Sequence, residues 1–420
     1  MLAVCQQAGY DRYVQFARGV RAIVNPSNRV VISGVGYAAS PVLSDAIAGR
    51  LSAPPSPPPE ITGFEVPERL PAWGFEALDV NVEQELPNFK SFIDRTSALA
   101  LVAAKRALQD AGLLDRAARP TRNGDAEVGC AYGTTLGCLE AMSIFWNKVK
   151  TSNPKFAPPL PFTHGYANSP SSLLCIEYGL RGSAATFSGE KLAGLEALMF
   201  AADQIACGSA RLMLAGASES LSPAAHRHLF ASGQLSKTGN WEDGIVPGEG
   251  GAMLVLETDV SARSRGARIY AEVEGINFFP LDPGDPHTDS EQISVGTTPH
   301  ETINFVSTPN VHPGGGWIQP LRITDMPAIA TKFYSGDMLS VSPVLGVALA
   351  AELLGGKIKA AQQAGAPGLP LVSRAAKVST LKYSIATGFE PAGRLGTVML
   401  KRYQEVSMSG QWPRVGVGGK

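Results

Sequence analysis

The order of predicted strands and helices indicates that this chain has an α/β fold. Residues 29–36 form a β-branched run closed by glycines, the pattern of a buried strand that ends in a tight turn. Residues 192–207 are apolar nearly all round, which predicts a buried helix. A second half repeats the alternation, with strands predicted at 302–306 and 395–401 and a helix at 341–354. Strands that alternate with helices in both halves are typical of the α/β class.

The other elements follow from similar patterns. Residues 94–112 predict a helix, because apolar residues fall on one face and Gly112 is a natural C-terminal stop. Further strands are predicted at 127–132, 211–216, 253–257 and 268–274. Proline interrupts the chain twice: residues 52–59 hold five prolines and residues 153–161 hold four, so a loop is predicted for the first and an irregular surface segment for the second.

Composition excludes several classes of function. The chain has 420 residues, a net charge of −1, and 17% charged residues, so nothing favours a nucleic-acid or membrane-surface partner. Its five cysteines show no CxxC spacing, which predicts reduced thiols and no metal site. No apolar run reaches the ~18 residues of a membrane span, and the N-terminus lacks the pattern of a signal peptide. A cytoplasmic protein without a cofactor is predicted.

Residues 186–198 carry the most informative motif. They read Thr-Phe-Ser-Gly-Glu-Lys-Leu-Ala-Gly-Leu-Glu-Ala-Leu, a strand end that turns sharply into an apolar helix. The stretch resembles, without a gap, the nucleophile turn of the β-ketoacyl synthases, the condensing enzymes of fatty-acid and polyketide synthesis. The resemblance covers about residues 29–402, with further blocks in the family's order at 30–36, 94–112, 179–182, 243–251 and 265–270.

This resemblance implies a thiolase-like fold, in which two similar halves form a five-layer αβαβα arrangement. It divides the chain into a first half at 29–258 and a second half at 259–402. Residues 1–28 are then an N-terminal extension and residues 403–420 a tail. The family also implies dimers that pair through their N-terminal halves.

The position of the family's acyl-carrying cysteine holds Lys191 in this chain. A cysteine thiolate at a helix N-terminus is stabilised by the helix dipole, whereas a lysine cation there is disfavoured by roughly 0.3–1 kcal/mol. A neutral lysine that attacked a thioester would form an amide, which is too stable to pass its acyl group on. We therefore expect Lys191 to be structural, tied to Glu190, Ser188 or a backbone carbonyl; a chemical role for Lys191 is the alternative.

Both histidines that stabilise the enolate in condensing enzymes are also replaced. Val306 stands at the first histidine position, and the nearby His300 and His312 are out of register and read as loop residues. At the second position, the Lys-x-x-x-Gly-His pattern ends in Asp337, whose carboxylate would repel a developing enolate. Lys332 of that pattern remains, and we expect it to pair with Asp337 or Glu249.

The last signature of the family is a glycine-rich turn before the final strand. Phe389 and Gly393 keep this turn, but the phenylalanine that gates the acyl pocket of active members falls at Pro391 and an asparagine falls at Leu395. With no catalytic residue left, the resemblance is closest to a chain-length factor, the non-condensing partner of an active ketosynthase in type II polyketide synthases. Residues 190–198 resemble its version of the turn, although glutamine is usual at position 191.

A chain-length factor would form a heterodimer with the ketosynthase, meet an acyl carrier protein through that complex, and help to line the polyketide tunnel. Five aromatic residues are the candidates for the tunnel or the interface; plain core and interface packing is the alternative for them. They are Phe145, Trp146, Phe156, Phe162 and Tyr166. Two other functions remain open: an acyltransferase or other acyl-transfer enzyme that uses a non-cysteine residue, and a scaffold outside polyketide synthesis.

Overall fold

A computed structural model of the chain describes most of both halves. The described residues are 15–16, 20–21, 28–48, 51, 55–86, 92–121, 127–152, 154–241, 243–280, 302–306, 310–311, 317–318, 328–358, 360–361, 369–370, 381–390 and 393–405. The predictions for His300, His312 and Pro391 lie outside these ranges, as do those for most of residues 1–28 and 403–420.

The strands are β1 Gln15–Phe16, β2 Val20–Arg21, β3 Val30–Ala38, β4 Val128–Thr134, β5 Ala184–Ser188, β6 Leu212–Glu219, β7 Gly250–Thr258, β8 Ala271–Pro280, β9 Thr302–Val306, β10 Asn310–Val311, β11 Trp317–Ile318, β12 Ala328–Ala330, β13 Ala360–Ala361, β14 Leu369–Pro370, β15 Tyr383–Glu390 and β16 Arg394–Arg402. The helices are α1 Pro41–Ile47, α2 Val82–Glu85, α3 Arg95–Asp110, α4 Leu139–Thr151, α5 Pro159–Thr163, α6 Ser169–Tyr178, α7 Ala193–Ala206, α8 Pro223–Ala231, α9 Asp259–Ser264, α10 Lys332–Ser335 and α11 Val341–Leu354. A 3₁₀ turn covers Pro154–Phe156.

Ten strands form one sheet in the order β12-β9-β15-β16-β8-β3-β7-β6-β4-β5. Read outward from the centre, each half has the same pattern. When only the strands of this sheet are counted, the first strand of each half pairs antiparallel with the fifth, and the fifth pairs antiparallel with the fourth. The fourth then pairs parallel with the second, and the second pairs parallel with the third. The halves join where Val31 and Ile32 of β3 pair with Glu272 and Ala271 of β8. Within the described strands, the predicted repetition of one α/β unit is therefore present.

Two apolar helices lie at the centre of the molecule. Every residue of α11 is buried, and α7 packs with it between the strands of the two halves. The helices approach so closely at Gly194 that a Cβ atom there would lie 2.4 Å from the carbonyl oxygen of Ser340. Glycine is therefore required at this crossing. The opposite face of the first half is covered by α3, whose N-cap Asp94 accepts a hydrogen bond from the N–H of Thr96 at 2.9 Å.

One loop prediction was wrong. Residues 154–163 form the 3₁₀ turn and helix α5 instead of an irregular segment, because proline at the first helical position has a suitable φ and needs no N–H partner there. Of the cysteines, Cys130, Cys138 and Cys175 form no disulfide bond within the part of the chain that the structure describes. None of the described helices is both long enough and apolar enough to cross a membrane.

Candidate functional site

Lys191 forms a buried ion pair with Asp337. Its Nζ donates to Asp337 Oδ2 at 2.8 Å, and Lys332 Nζ donates to the same oxygen at 2.7 Å. The side chains of Lys191, Lys332 and Asp337 are only 9%, 2% and 0% exposed. The expected partners of Lys191, namely Glu190, Ser188 or a carbonyl, were wrong, because a carboxylate from the other half of the chain compensates the buried charge better.

The backbone explains how these three side chains meet. Lys191 lies in the turn between β5 and α7, while Lys332 begins α10, two residues after β12. Gly336 ends α10 with φ of 72°, the left-handed region that glycine adopts without strain. This turn brings Asp337 back against Pro247, and Asp337 Oδ1 then accepts the N–H of Leu339 at 2.9 Å.

Burial and charge shift the pKa values in this cluster. The pKa of Lys332 is lowered from 10.5 to about 8, mainly by burial and in part by the neighbouring Lys191, while Asp337 opposes both effects. Burial acts to raise the pKa of Asp337, but the two ammonium groups outweigh it and hold that pKa well below its usual range. The carboxylate therefore stays ionised near neutral pH.

Lys191, Lys332 and Asp337 differ in chemistry from the cysteine and histidine that the resemblance assigns to this region. An ion-paired ammonium has no lone pair with which to attack a thioester, and Asp337 is an acceptor where an enolate needs a donor. Val306 ends β9, where its backbone pairs with Ala330 and Thr387. Because β9 adjoins β12, the chain places this position near the turn that carries Lys332.

The predicted partner Glu249 lies elsewhere. Its carboxylate binds Arg95 at 2.7 Å and accepts the N–H groups of Ala77 and Leu221 at 3.0 and 3.2 Å. Of the two partners expected for Lys332, Asp337 is the one to which Lys332 donates a hydrogen bond. Glu249 instead ties the start of α3 to the segment that precedes β7.

Sequence reasoning missed a carboxylate at the N-terminus of α7. Glu390 is 3% exposed, and its Oε1 accepts the N–H of Leu192 at 3.0 Å. Arg394 holds Glu390 at 3.3 Å and Glu196 at 2.8 Å. Burial raises the pKa of Glu390, and the bond from Leu192 opposes the shift. Glu390 directly follows Phe389 in the turn signature, and this position was the sequence signal that could have indicated its role.

The turn signature lies between two strands, β15 and β16, that pair antiparallel. Phe389 is buried at 5% exposure in β15 and pairs with Leu395 of β16, which is fully buried. The residues next to them, Gly388 and Gly396, lie against Leu192, directly before α7. Their position agrees with the structural role expected for Phe389, which remains a prediction.

A second buried carboxylate lies close to the turn that contains Lys191. Glu219 accepts hydrogen bonds from the Ser340 hydroxyl at 2.6 Å, from the Leu136 N–H at 3.2 Å and, most closely, from the Thr135 N–H. Burial raises the pKa of Glu219 to about 7, against the effect of these donors. Because Thr135 also bonds the carbonyl of Glu190 at 3.2 Å, Glu219 links the turn to the start of α11.

The five aromatic candidates lie on the outside of this chain. Trp146, Phe156, Phe162 and Tyr166 are between 39% and 73% exposed, and Phe145 is partly buried. Four of the rings form a continuous series: Phe145 lies 5.5 Å from Trp146 and 5.0 Å from Phe162, which lies 5.4 Å from Tyr166. A role in packing the core of this chain is therefore excluded for the four exposed residues. A place in an interface or in the tunnel remains a prediction for them.

Comparisons with known proteins show which proteins the chain resembles. Residues 64–262 match the family described as "Beta-ketoacyl synthase, N-terminal domain". The chain is 30% identical over 277 residues to the oxytetracycline polyketide putative beta-ketoacyl synthase 1 of Streptomyces rimosus, which covers 60% of this chain and 63% of that protein. It is 31% identical over 244 residues to the tetracenomycin polyketide synthase ketoacyl synthase beta subunit of Streptomyces glaucescens, which covers 53% of this chain and 58% of that protein.

A solved structure extends the likeness to both halves. The ishigamide ketosynthase/chain length factor superposes with a TM-score of 0.70 at 20% identity, covering 90% of this chain and all of that one. This similarity shows the thiolase-like fold that the sequence predicts. The curated relatives are matched over less than two thirds of their own length, 63% and 58%. Residues 64–262 are thus a β-ketoacyl synthase N-terminal domain, and the chain shares its thiolase-like fold with the ketosynthases over both halves.

Proposed function

We propose that this chain is a chain-length factor, a ketosynthase-like subunit without condensing activity that completes a heterodimer with an active ketosynthase. The observation that carries this proposal is the buried ion pair between Lys191 and Asp337, at the positions of the nucleophile and one histidine of condensing enzymes. The charges of this pair satisfy one another. The relative named as a ketoacyl synthase beta subunit is consistent with a chain of this type.

The exposed edge of the large sheet supports a partner subunit. β5 is the last strand in the sheet order and pairs only with β4 among the described strands, so one row of its backbone groups is open. Exposed edges of this kind readily pair with another chain. The Thr186 hydroxyl of β5 bonds the Ser171 hydroxyl of α6 at 2.8 Å, which ties this edge to the helix that carries Ile176, a residue 76% exposed.

The exposed aromatic candidates, which include Phe156, add further apolar surface. Phe156 is 73% exposed and Trp146 is 50% exposed, which is unusual for such large apolar side chains unless another surface covers them. Aromatic residues are enriched in the buried centres of interfaces. We therefore assign the surface formed by β5, α6, α5, the 3₁₀ turn Pro154–Phe156 and the outer face of α4 to the ketosynthase partner, and the aromatic residues to the tunnel or its rim.

Co-expression with a cysteine-bearing ketosynthase tests the proposal. The two chains should co-purify as a 1:1 complex, and condensation of acyl and malonyl carrier-protein thioesters should require both. Phe156→Ser should weaken the complex, whereas Val260→Ser, a matched control at a residue 56% exposed on α9, should not. A stable monomer that leaves the rate and product of the ketosynthase unchanged would contradict the proposal.

A further inference from the structure

Two cysteine side chains meet between strand β4 and helix α6. Cys130 is fully buried in β4, and Cys175 is partly buried on α6, where it packs against the core cluster that contains Cys130. The thiol of Cys130 donates a hydrogen bond to the sulfur of Cys175. The structure therefore holds two reduced thiols in contact with one another.

Helix α6 runs antiparallel to β4 and ends near the start of that strand. In the turn after α6, the Gly182 N–H donates to the Val128 carbonyl at 2.9 Å, and the Ser183 carbonyl accepts the Cys130 N–H at 2.8 Å. The C-terminal part of α6, which carries Cys175, therefore lies level with the first residues of β4, which include Cys130.

The register of α6 on the sheet places the two thiols in the same row. Ser171 Oγ lies 2.8 Å from Thr186 Oγ1 of β5, and Thr186 pairs with Tyr132 of β4. Cys175 lies one helical turn after Ser171, about 6 Å along the helix axis. Cys130 lies two residues before Tyr132, about 6.6 Å along the strand and on the same face of the sheet. The two steps are nearly equal and run in the same direction, so Cys175 faces Cys130.

The two thiols differ in acidity and exposure, which gives them different reactivity. The hydrogen bond from Cys130 lowers the pKa of the Cys175 thiol to about 7, against the effect of burial. The contact with Cys175 and burial together raise the pKa of Cys130 well above its ordinary value. Because the thiolate is the nucleophilic form, the partly exposed Cys175 reacts first with a small oxidant, and Cys130 is the second thiol.

We propose that Cys130 and Cys175 are a modification site, a dithiol that hydrogen peroxide converts to a disulfide. The Cys175 thiolate attacks one peroxide oxygen, the O–O bond breaks, and the released hydroxide takes a proton from solvent to become water, which leaves a sulfenic acid on Cys175. The Cys130 sulfur then attacks the sulfenic sulfur. An S–S bond forms as the S–O bond breaks, and the departing hydroxide takes the Cys130 proton. The two thiols lose two electrons, which reduce one peroxide to two water molecules.

The disulfide closes a covalent loop around the surface assigned to the ketosynthase partner. The loop between the two cysteines, residues 131–174, contains α4, the 3₁₀ turn, α5 and the first part of α6, with the four exposed aromatic candidates. A cross-link of this kind restricts the unfolded chain, so oxidation stabilises this part of the fold. The reaction itself does not depend on the proposed function, because both thiols belong to this chain.

Peroxide treatment of the reduced full-length chain tests the proposal, with N-ethylmaleimide to block remaining thiols and mass spectrometry of unreduced peptides. A linked pair of peptides should join Cys130 to Cys175, and dithiothreitol should separate it. The rate should rise with a midpoint near pH 7, because about half of the Cys175 thiol is ionised there. Cys207→Ala, at an exposed cysteine, should form the link at the rate of the unmodified chain.

Two alanine variants separate the roles of the thiols. In Cys130→Ala, Cys175 should stop at the sulfenic acid, which dimedone traps, and should react about tenfold more slowly at pH 7, because the donor that stabilises its thiolate is gone. In Cys175→Ala, Cys130 should stay unmodified while the chain is folded. Oxidation should raise the melting temperature of the unmodified chain and of neither variant.

Three results would overturn the proposal. The first is a folded chain that forms no link between Cys130 and Cys175 in excess peroxide. The second is a link from Cys175 to a different cysteine. The third is an equal rate of Cys175 oxidation at pH 7 in Cys130→Ala and in the unmodified chain, which would show that the two thiols act independently.

Discussion

Replacing Asp337 by asparagine should destabilise the fold strongly, by about 3–5 kcal/mol, the range found when one partner of a buried ion pair is removed. Asp337 is fully buried, and its two oxygens accept from Lys191 and Lys332 at 2.8 and 2.7 Å and from the Leu339 N–H at 2.9 Å. An asparagine can still accept some of these bonds. It cannot neutralise two ammonium groups that are only 9% and 2% exposed.

The loss should depend on pH in a defined direction. The pKa of Lys332 in the folded chain is lowered from 10.5 to about 8, so the unfolded chain binds more protons between those values and stability rises with pH there. Without Asp337 the folded pKa of Lys332 falls further. In the variant, stability should therefore rise with pH from below pH 8, and the deficit should be larger at pH 6.5 than at pH 9.

Urea unfolding followed by far-UV circular dichroism at these two pH values measures both effects. Glu274→Gln is the control, because it removes the carboxylate of a surface pair with Lys401, and such pairs contribute about 0–1 kcal/mol. A loss for Asp337→Asn that is no greater than the control's, or one that does not change between pH 6.5 and pH 9, would refute the reasoning about the buried charges.

Three further predictions concern chemistry and product. The full-length chain, incubated with an acyl thioester, should show no acyl adduct on Lys191 that turns over, and intact mass spectrometry would detect one. Lys191→Cys alone should not yield a condensing enzyme, because Val306 and Asp337 replace both histidines; appreciable product from this variant in a condensation assay would show that their positions were assigned wrongly. In the reconstituted pair, Phe145→Ala or Trp146→Ala should shift product length, read by mass spectrometry, while condensation continues; unchanged length would remove both residues from the tunnel.

Local patterns predicted most of the framework, because the strands β3 and β9 and the helices α7 and α11 are each specified by their own runs of residues. Contacts between distant parts of the chain were harder to predict from the sequence. Lys191 and Asp337 are 146 positions apart, and no local pattern predicts which carboxylate will reach a buried ammonium. The exposure of the aromatic residues also could not be predicted, since an apolar helix face packs equally well on its own core or on another subunit.

Lys191 and Asp337, at the positions that the resemblance assigns to the nucleophile and one histidine, carry opposite charges and bind each other. A lysine at position 191 without Asp337 would bury its charge beside the ammonium group of Lys332, at a cost of several kcal/mol, whereas an aspartate at position 337 without Lys191 would still pair with Lys332. Together they form a 2.8 Å ion pair that connects the turn before α7 in the first half to the segment before α11 in the second. Under the proposed function, this pair stabilises the contact between the two halves of the chain, which a subunit needs when its contribution is the shape of its surfaces.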